Sequence, residues 1–272
     1  MVLFFYQLRT DQGTTDRKDL PERRSRMETG VYTRPFIVQP DHCGKDAGLS
    51  PVGTFIAFQA LSAEHAQVLG IGAADMARKR RFWVTVHNRV DFLGKAWLLD
   101  ELEASTWAEP CEPDSLRCFR GYSLTRKGKP VAIARTQWAI IGEDGQAVPF
   151  KESGFPSDYE FTERQGITQD PIWFEDDFTD ADVCGEFTVR STDIDFGLHM
   201  NNIAYIRKFL DQFPSDKITG SAIRSIEVHY GHPCMEGKLL KVYRRFDGTS
   251  YWMCIRNSKG QTASMVKITP AL

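Results

Sequence analysis

Apolar residues recur along the chain with two different spacings, which separate helices from strands. Over residues 49–70 they recur at three- and four-residue steps, with Ser50 and Pro51 at the start and Gly70 past the end. Placed on a helical wheel, the large side chains form one stripe: Phe55, Phe58, Leu61, His65, Val68 and Leu69. This pattern predicts a helix with one buried face, preceded by a strand over residues 31–38.

Strand-like segments follow this helix and lead into a connector. They cover residues 82–92, 97–107, 116–125 and 130–141. Residues 142–184 are rich in Asp, Glu, Pro and Gly, so we interpret them as a connector that Trp173 and Phe174 hold against a domain.

The order of elements then repeats. A strand is predicted over residues 187–195 and a helix over 202–213. Strands are predicted over residues 222–230, 238–246, 251–256 and 262–268. Two units of the same layout indicate an α+β fold in which each unit wraps an antiparallel sheet around a central helix, as after an internal duplication.

Composition and charge exclude several classes of function. A net charge of -2 does not favour a general binder of nucleic acids or membrane surfaces. No apolar run approaches the roughly 20 residues that span a bilayer. The opening MVLFFY is too short for a secretory segment and lacks a basic stretch before it, so we expect a cytoplasmic protein. Residues 1–27 are interpreted as an N-terminal extension, with Met27 as an alternative start.

The cysteines indicate a reducing compartment. There are six of them, at scattered spacings and without a CxxC pair, which favours free thiols. His229, His232 and Cys234 are close in sequence, but their spacing is not a standard zinc pattern, and we predict no metal site.

Candidate chemistry concentrates in residues 191–206, STDIDFGLHMNNIAYI. Carboxylates, a histidine and an asparagine pair lie directly before an apolar helix: Asp193, Asp195, His199, Asn201 and Asn202. An asparagine can cap that helix, and the N–H groups of its first turn can polarise a carbonyl. The sequence therefore predicts a site at the mouth of the second helix.

This stretch resembles the acyl-acyl carrier protein (acyl-ACP) thioesterase motif, roughly DxDxNxHxNNxxY. Matching positions are Asp193, Asp195, His199, Asn201, Asn202 and Tyr205. Two departures occur: Gly197 stands where the family has an asparagine, and Pro233 stands where a glutamate precedes the matching Cys234. The glycine removes a side chain, or else opens the backbone so that its own N–H approaches the substrate.

The resemblance implies a fold and a division of the chain. It implies two tandem hotdog domains: residues 28–150 bind the acyl chain, residues 151–184 link the domains, and residues 185–272 are catalytic. The implied activity is hydrolysis of fatty acyl-ACP in fatty acid biosynthesis. The implied partner is acyl carrier protein, with the chain a monomer or homodimer, and neither a metal nor an organic cofactor is implied.

The resemblance and the chemistry together assign candidate roles. Asp195 is the candidate general base or nucleophile, His199 the candidate proton carrier or orienting donor, and Asn201 completes the catalytic set. Asp193 is more simply a turn or capping carboxylate, and Asn202 a cap or loop brace. Cys234 as a nucleophile is weighed against a packed thiol, which is favoured.

The remaining candidates concern substrate binding. The acyl chain is expected against Phe55, Phe58, Leu61 and His65 and near Trp83. For His65, a core histidine or a residue that lines the cavity is favoured over catalysis. The basic residues Lys79, Arg80 and Arg81 either form a solvated face or dock the acidic carrier protein. An acyl-CoA thioesterase and a catalytically weak acyl-thioester binding protein remain as alternatives.

Overall fold

The computed structural model describes residues 26–162 and 166–271. The predicted N-terminal extension lies outside these residues, apart from Arg26 and Met27, which begin the first strand. Within the described ranges, no helix is both long and apolar enough to cross a membrane.

The chain up to the connector contains two helices and seven strands in the described residues. In order they are β1 (Arg26–Glu28), β2 (Val31–Ile37), α1 (Pro51–Val68), α2 (Ala73–Arg78), β3 (Arg81–Phe92), β4 (Glu101–Ala108), β5 (Cys118–Arg126), β6 (Lys129–Gly142) and β7 (Ala147–Val148). After the connector come β8 (Val183–Thr188), α3 (Asn202–Leu210), β9 (Ile223–Tyr230), β10 (Leu239–Phe246), β11 (Tyr251–Asn257) and β12 (Thr262–Pro270).

All the strands form one antiparallel sheet. Its order is β1-β2-β4-β5-β6-β3-β9-β12-β11-β10-β8, with β7 paired to β6. The two parts of the chain meet where β3 pairs with β9, from His87 opposite His229 to Asp91 opposite Ser225. One continuous sheet therefore carries the elements from both sides of the connector.

The two longer helices cover the sheet and bury the main core. Helix α1 begins at Ser50, whose hydroxyl accepts a hydrogen bond from the N–H of Gly53 at 3.0 Å. Phe55, Phe58 and Leu61 are buried along it, and Ile206 and Phe209 are buried along α3. These residues share one apolar cluster with the inward side chains of the sheet, which fixes both helices on the same side.

Most predicted elements are confirmed, and the differences concern their ends. The strand predicted over residues 187–195 ends at Thr188, and Ser191–Asp193 form a 3-10 turn instead. The strand predicted from residue 97 begins at Glu101, and helix α3 ends at Leu210. The short helix α2 was not predicted.

The connector is held by one of its two proposed aromatic residues. Phe174 is buried against the face of β11 and β12, where Trp252, Cys254 and Met265 surround it. Trp173 is 85% exposed, so its predicted anchoring role is wrong. The alternation of side chains explains the difference, because neighbouring residues of an extended segment point to opposite sides.

Candidate active site

A tight loop brings the motif residues to the start of α3. Ile194 and Met200 form an isolated antiparallel bridge, and Leu198 inside that loop has φ of 61°. A branched residue rarely adopts a positive φ, and such conformations cluster at functional sites. The loop therefore folds back over a short distance and delivers Asn201 to the helix start.

The carboxylate of Asp195 is held by two donors. The N–H of Gly197 donates to Oδ1 at 2.8 Å, and the side-chain amide of Asn201 donates to Oδ2 at 3.2 Å. The residue is half-buried. Both oxygens thus have a fixed direction, and the carboxylate lies at the mouth of α3, where the helix dipole favours a negative charge.

Asn201 fixes both the helix and the carboxylate. Its side-chain oxygen accepts from the N–H of Ile203 at 2.7 Å, which caps α3, while its side-chain nitrogen donates to Asp195. Because the cap sets which end of the amide faces the helix, the N–H₂ end faces the carboxylate. Asn202 is the first helical residue, and its carbonyl lies 3.5 Å from the Tyr230 hydroxyl that donates to it.

Asp193 acts as a structural carboxylate. It accepts from the N–H of Arg190 at 2.9 Å and lies 3.8 Å from the Lys208 ammonium. The capping interpretation of Asp193 therefore describes its contacts. Strand β8 ends at Thr188, so Asp193 and Asp195 do not share a strand face.

His199 lies beside the glycine that departs from the motif. A Cβ added to Gly197 would lie 3.0 Å from Oδ1 of Asp195 and 3.8 Å from Nδ1 of His199. The missing side chain would therefore have stood between the imidazole and the carboxylate. The Gly197 N–H is engaged by Asp195, and the His199 side chain is exposed to solvent.

Cys234 is packed beneath the loop. It is buried, its carbonyl accepts from the N–H of Met200 at 2.8 Å, and its thiol hydrogen-bonds with the Tyr205 side chain. Burial raises the pKa of the Cys234 thiol, an effect that outweighs the opposing hydrogen bond from Tyr205. This environment disfavours the thiolate that a nucleophile requires.

No group of three or more metal-ligating side chains occurs among residues 26–162 and 166–271. Nδ1 of His232 lies 3.1 Å from the carbonyl of Thr262 instead. Burial lowers the pKa of His229, with smaller contributions from His87 and Arg117. The structure therefore assigns these side chains other contacts than a shared ion.

The proposed substrate-binding residues fall into two groups. Phe55, Phe58 and Leu61 lie in the main core beneath α1. Trp83 packs with Ile71 and Met76 in a separate cluster under α2, and its indole N–H donates to the Ile71 carbonyl at 3.0 Å. The structure thus separates Trp83 from the stripe of α1.

A buried arginine that the sequence did not single out contacts His65. Nη1 of Arg120 lies 2.6 Å from Nδ1 of His65 and 3.4 Å from the Thr106 hydroxyl. His65 is fully buried, and Arg120 is 8% exposed. Burial, together with the Arg120 charge, lowers the pKa of His65 to about 3. The available signal was that Arg120 occupies an inward position of an otherwise apolar strand, alternating with Tyr122 and Leu124.

The basic segment after α2 is partly neutralised. Arg80 pairs with Glu143 and Arg81 with Glu152, both at 2.8 Å. Lys79 extends over Gly154. Two of the three candidate docking cations are therefore shared with carboxylates of the following segment.

Comparisons with known proteins give consistent matches. Residues 177–269 match the acyl-ACP thioesterase C-terminal domain family. The chloroplastic dodecanoyl-[acyl-carrier-protein] hydrolase of Cinnamomum camphora is 22% identical over 241 residues, which cover 81% of this chain and 60% of the hydrolase. This chain thus spans about three fifths of the length of that relative.

Two solved structures extend the likeness to the fold. An acyl-ACP thioesterase from Bacteroides thetaiotaomicron superposes with a TM-score of 0.80 at 21% identity, covering 90% of this chain and 100% of that one. The 12:0-ACP thioesterase from Umbellularia californica gives a TM-score of 0.72 at 16% identity, covering 90% of this chain and 99% of that one. The resemblance indicated by the motif is confirmed, and the α+β fold of these proteins is shared.

Proposed function

We propose that this protein hydrolyses the thioester of fatty acyl-ACP and releases a free fatty acid and the carrier protein. The observation that carries the proposal is the Asp195 carboxylate, oriented by Gly197 and Asn201 at the mouth of α3. The family match over residues 177–269 covers this mouth and supports the same chemistry.

The geometry suits a carboxylate that activates water. Asp195 accepts a proton from a water molecule, whose oxygen forms a bond to the thioester carbonyl carbon. The N–H of Asn202, the first residue of α3, stabilises the charge that develops on the carbonyl oxygen. The carbon–sulfur bond then breaks, and the proton that Asp195 took from water passes through His199, exposed at the mouth, to the leaving thiolate. Asn201 positions the carboxylate throughout.

A tandem hotdog organisation underlies this single site. The proposed units are residues 28–150 and 185–272, joined by residues 151–184. Support comes from matching caps: Ser50 caps α1 with its hydroxyl, and Asn201 caps α3 with its amide. Behind each cap, Leu49 donates to the carbonyl of Ala96 at 2.9 Å, as Met200 does to that of Cys234 at 2.8 Å.

The first unit then serves the acyl chain. Phe55, Phe58 and Leu61 supply the apolar surface, with His65 at its end. Trp83 lies apart from this surface, in the cluster under α2. Lys79, Arg80 and Arg81 dock the acidic carrier protein through long-range attraction, which their neighbouring glutamates moderate. The protein works in the cytoplasm as a monomer or homodimer, without a cofactor.

Release of free thiol from matched acyl-ACP and acyl-CoA substrates tests the proposal. Turnover with a higher kcat/KM on the carrier protein is expected. Equal rates on both substrates would assign the protein to acyl-CoA hydrolysis instead. Binding of both without turnover would show that Gly197 and Pro233 accompany a lost activity.

A further inference from the structure

A polar layer crosses the interior of the first half of the chain, where an acyl chain would need an apolar surface. Arg120, Thr136 and Asn88 are register partners on three adjacent strands, β5, β6 and β3. Because directly opposed residues point to the same face of a sheet, all three face α1. His65 and Ser62 of α1 cover the layer from above.

The layer carries a charge without an opposite charge. Among the described residues, no carboxylate lies within ion-pair distance of Arg120, although its side chain is nearly buried. Glu64, which precedes His65 on α1, is paired with Arg34 and accepts from the Tyr32 hydroxyl. A buried guanidinium without a counter-ion is costly, so its retention calls for a partner.

The layer also carries donors without acceptors. A guanidinium can only donate, so Nδ1 of His65 is the acceptor in its contact with Arg120. The imidazole proton therefore sits on Nε2, a buried atom with no hydrogen-bond partner in the described structure. The buried side-chain oxygen of Asn88 also has no partner there, but it is an acceptor and calls for a donor. A cation and a neighbouring N–H donor together fit an oxyanion.

The neighbouring hydroxyl groups do not fill this role. The Tyr122 hydroxyl lies within hydrogen-bonding reach of the Thr136 and Ser62 side chains. Thr106 contacts Arg120 but already donates to the Gly121 carbonyl at 2.9 Å. The unmet demand for an acceptor thus concentrates at Arg120 and Nε2 of His65.

The layer reaches the seam between the two halves of the sheet. Asn88 lies opposite Val228 of β9, the strand that precedes Cys234 in the chain. The Cys234 carbonyl supports Met200 at the mouth. Arg120 lies two strand spacings from Asn88, or about 10 Å across the sheet.

Short side chains occupy the inward positions next to the polar layer. Ala132 and Ala134 precede Thr136 on β6, and Ala104 precedes Thr106 on β4, all of them buried. The face of the sheet next to the polar layer is therefore lined by small side chains.

We propose that the acyl group processed by this protein carries a carboxylate at its far end, and that Arg120 and His65 bind that carboxylate. The inference rests on the proposed function, because it defines the substrate class of the same site. The substrate is the monothioester of a dicarboxylic acid. Arg120 and His65 are then specificity-determining residues, about 10 Å from β3 and remote from the reacting carbonyl.

Matched thioesters of equal length test the proposal: suberoyl-ACP, which ends in a carboxylate, and octanoyl-ACP, which ends in a methyl group. A charge-assisted hydrogen bond between the substrate carboxylate and Arg120 predicts a preference of about 10- to 100-fold in kcat/KM for suberoyl-ACP. Arg120→Met should abolish that preference. Arg135→Met is the matched control, since Arg135 of β6 pairs with Glu109 outside the layer and its loss should leave the preference intact. A wild-type preference for octanoyl-ACP would overturn the proposal.

A binding measurement on the wild-type protein covers the case in which Arg120→Met does not fold. Calorimetry with free suberate and with octanoate should show saturable binding of suberate and weaker binding of octanoate. If neither thioester is hydrolysed but suberate binds selectively, the proposed hydrolysis fails and the carboxylate site stands. If both thioesters are hydrolysed equally and suberate does not bind, the carboxylate site fails and the hydrolysis stands. A crystal structure of the protein with suberate in the crystallisation solution that shows only ordered water at Arg120 would also overturn the proposed carboxylate site.

Discussion

Asp195 and Gly44 occupy the same position in two loops of the same shape. The Asp195 N–H donates to the carbonyl of His199 at 3.1 Å, as that of Gly44 does to Gly48 at 2.9 Å. The carbonyls of Asp195 and Gly44 each accept a hydrogen bond at 3.0 Å from the N–H three residues later, that of Leu198 and of Ala47. These two residues have φ of 61° and 59°. The loop geometry therefore occurs twice, but glycines, Gly44 and Gly48, occupy the positions of Asp195 and His199 in the first loop. This difference confines the proposed chemistry to α3.

Substitution of Asn201 should separate its two roles. Asn201→Asp keeps an oxygen for the Ile203 N–H but replaces the donor to Asp195 with a second negative charge. We expect kcat to fall by about 10²-fold or more, because the general base is no longer oriented, while the thermal midpoint changes little. Thermal unfolding and steady-state kinetics on the same preparation measure both effects.

Ser50→Ala supplies the matched control for that variant. It removes the equivalent cap of α1, which should cost about 1 kcal/mol of stability without changing kcat. Loss of stability without loss of activity in Asn201→Asp would show that the amide serves the helix alone.

Cys234→Ala should retain activity. The thiol is buried and its pKa is raised by burial, and Ala96 fills the corresponding position in the first half of the chain. We expect kcat within about threefold of wild type and slow modification of Cys234 by thiol reagents in the folded protein. A fall of 10³-fold in kcat, with the fold intact by circular dichroism, would instead make Cys234 a nucleophile.

His65 should make the free energy of unfolding depend on pH. Its pKa is lowered to about 3 in the folded protein, mainly by burial, so the unfolded chain binds this proton first as the pH falls. Its contribution to stability is complete above the ordinary pKa of about 6.5 and declines below it, by roughly 2 kcal/mol at pH 5.

Urea unfolding of wild type and His65→Gln at pH 7 and pH 5 measures this effect. The variant should lose about 2 kcal/mol less than the wild type between the two pH values. Equal losses in both proteins would contradict a buried neutral imidazole.

The basic segment should affect recognition of the carrier protein and leave chemistry unchanged. Replacing Lys79, Arg80 and Arg81 with alanine should raise KM for acyl-ACP at low salt, with little change in kcat, because the lost attraction acts at long range. Glu143→Gln with Glu152→Gln, which frees Arg80 and Arg81 from their partners, should lower KM. If kcat/KM for acyl-ACP is unchanged by both the alanine and the glutamine substitutions, these residues do not form a docking surface.

The sequence predicted the elements well because their hydrophobic periods are strong. Helix α1 was predicted from its stripe and the cap at Ser50, and β5 and β6 were predicted as the strands over residues 116–125 and 130–141. The strand ending at Thr188 was overextended, because a 3-10 turn with apolar neighbours has the same local composition as a strand. Such turns are fixed by contacts such as the Asp193 carboxylate with the Arg190 N–H, which have no periodic signal.

The candidate site was predicted only in part. The motif indicated Asp195, His199 and Asn201, and the cap and carboxylate contacts of Asn201 follow from its place before α3. Arg120 was missed because its contact with His65 joins residues 55 positions apart in sequence. Pairings of that kind depend on which strand passes under which helix turn, and only the folded chain shows this.

Asp195→Asn is the most direct test of the proposed hydrolysis. The substitution keeps the shape of the side chain and an oxygen for the Gly197 N–H, but it removes the proton acceptor. Release of thiol from acyl-ACP should fall by about 10²- to 10⁴-fold, with an unchanged thermal midpoint. A rate within tenfold of the wild type would contradict Asp195 as the base and would place the chemistry elsewhere.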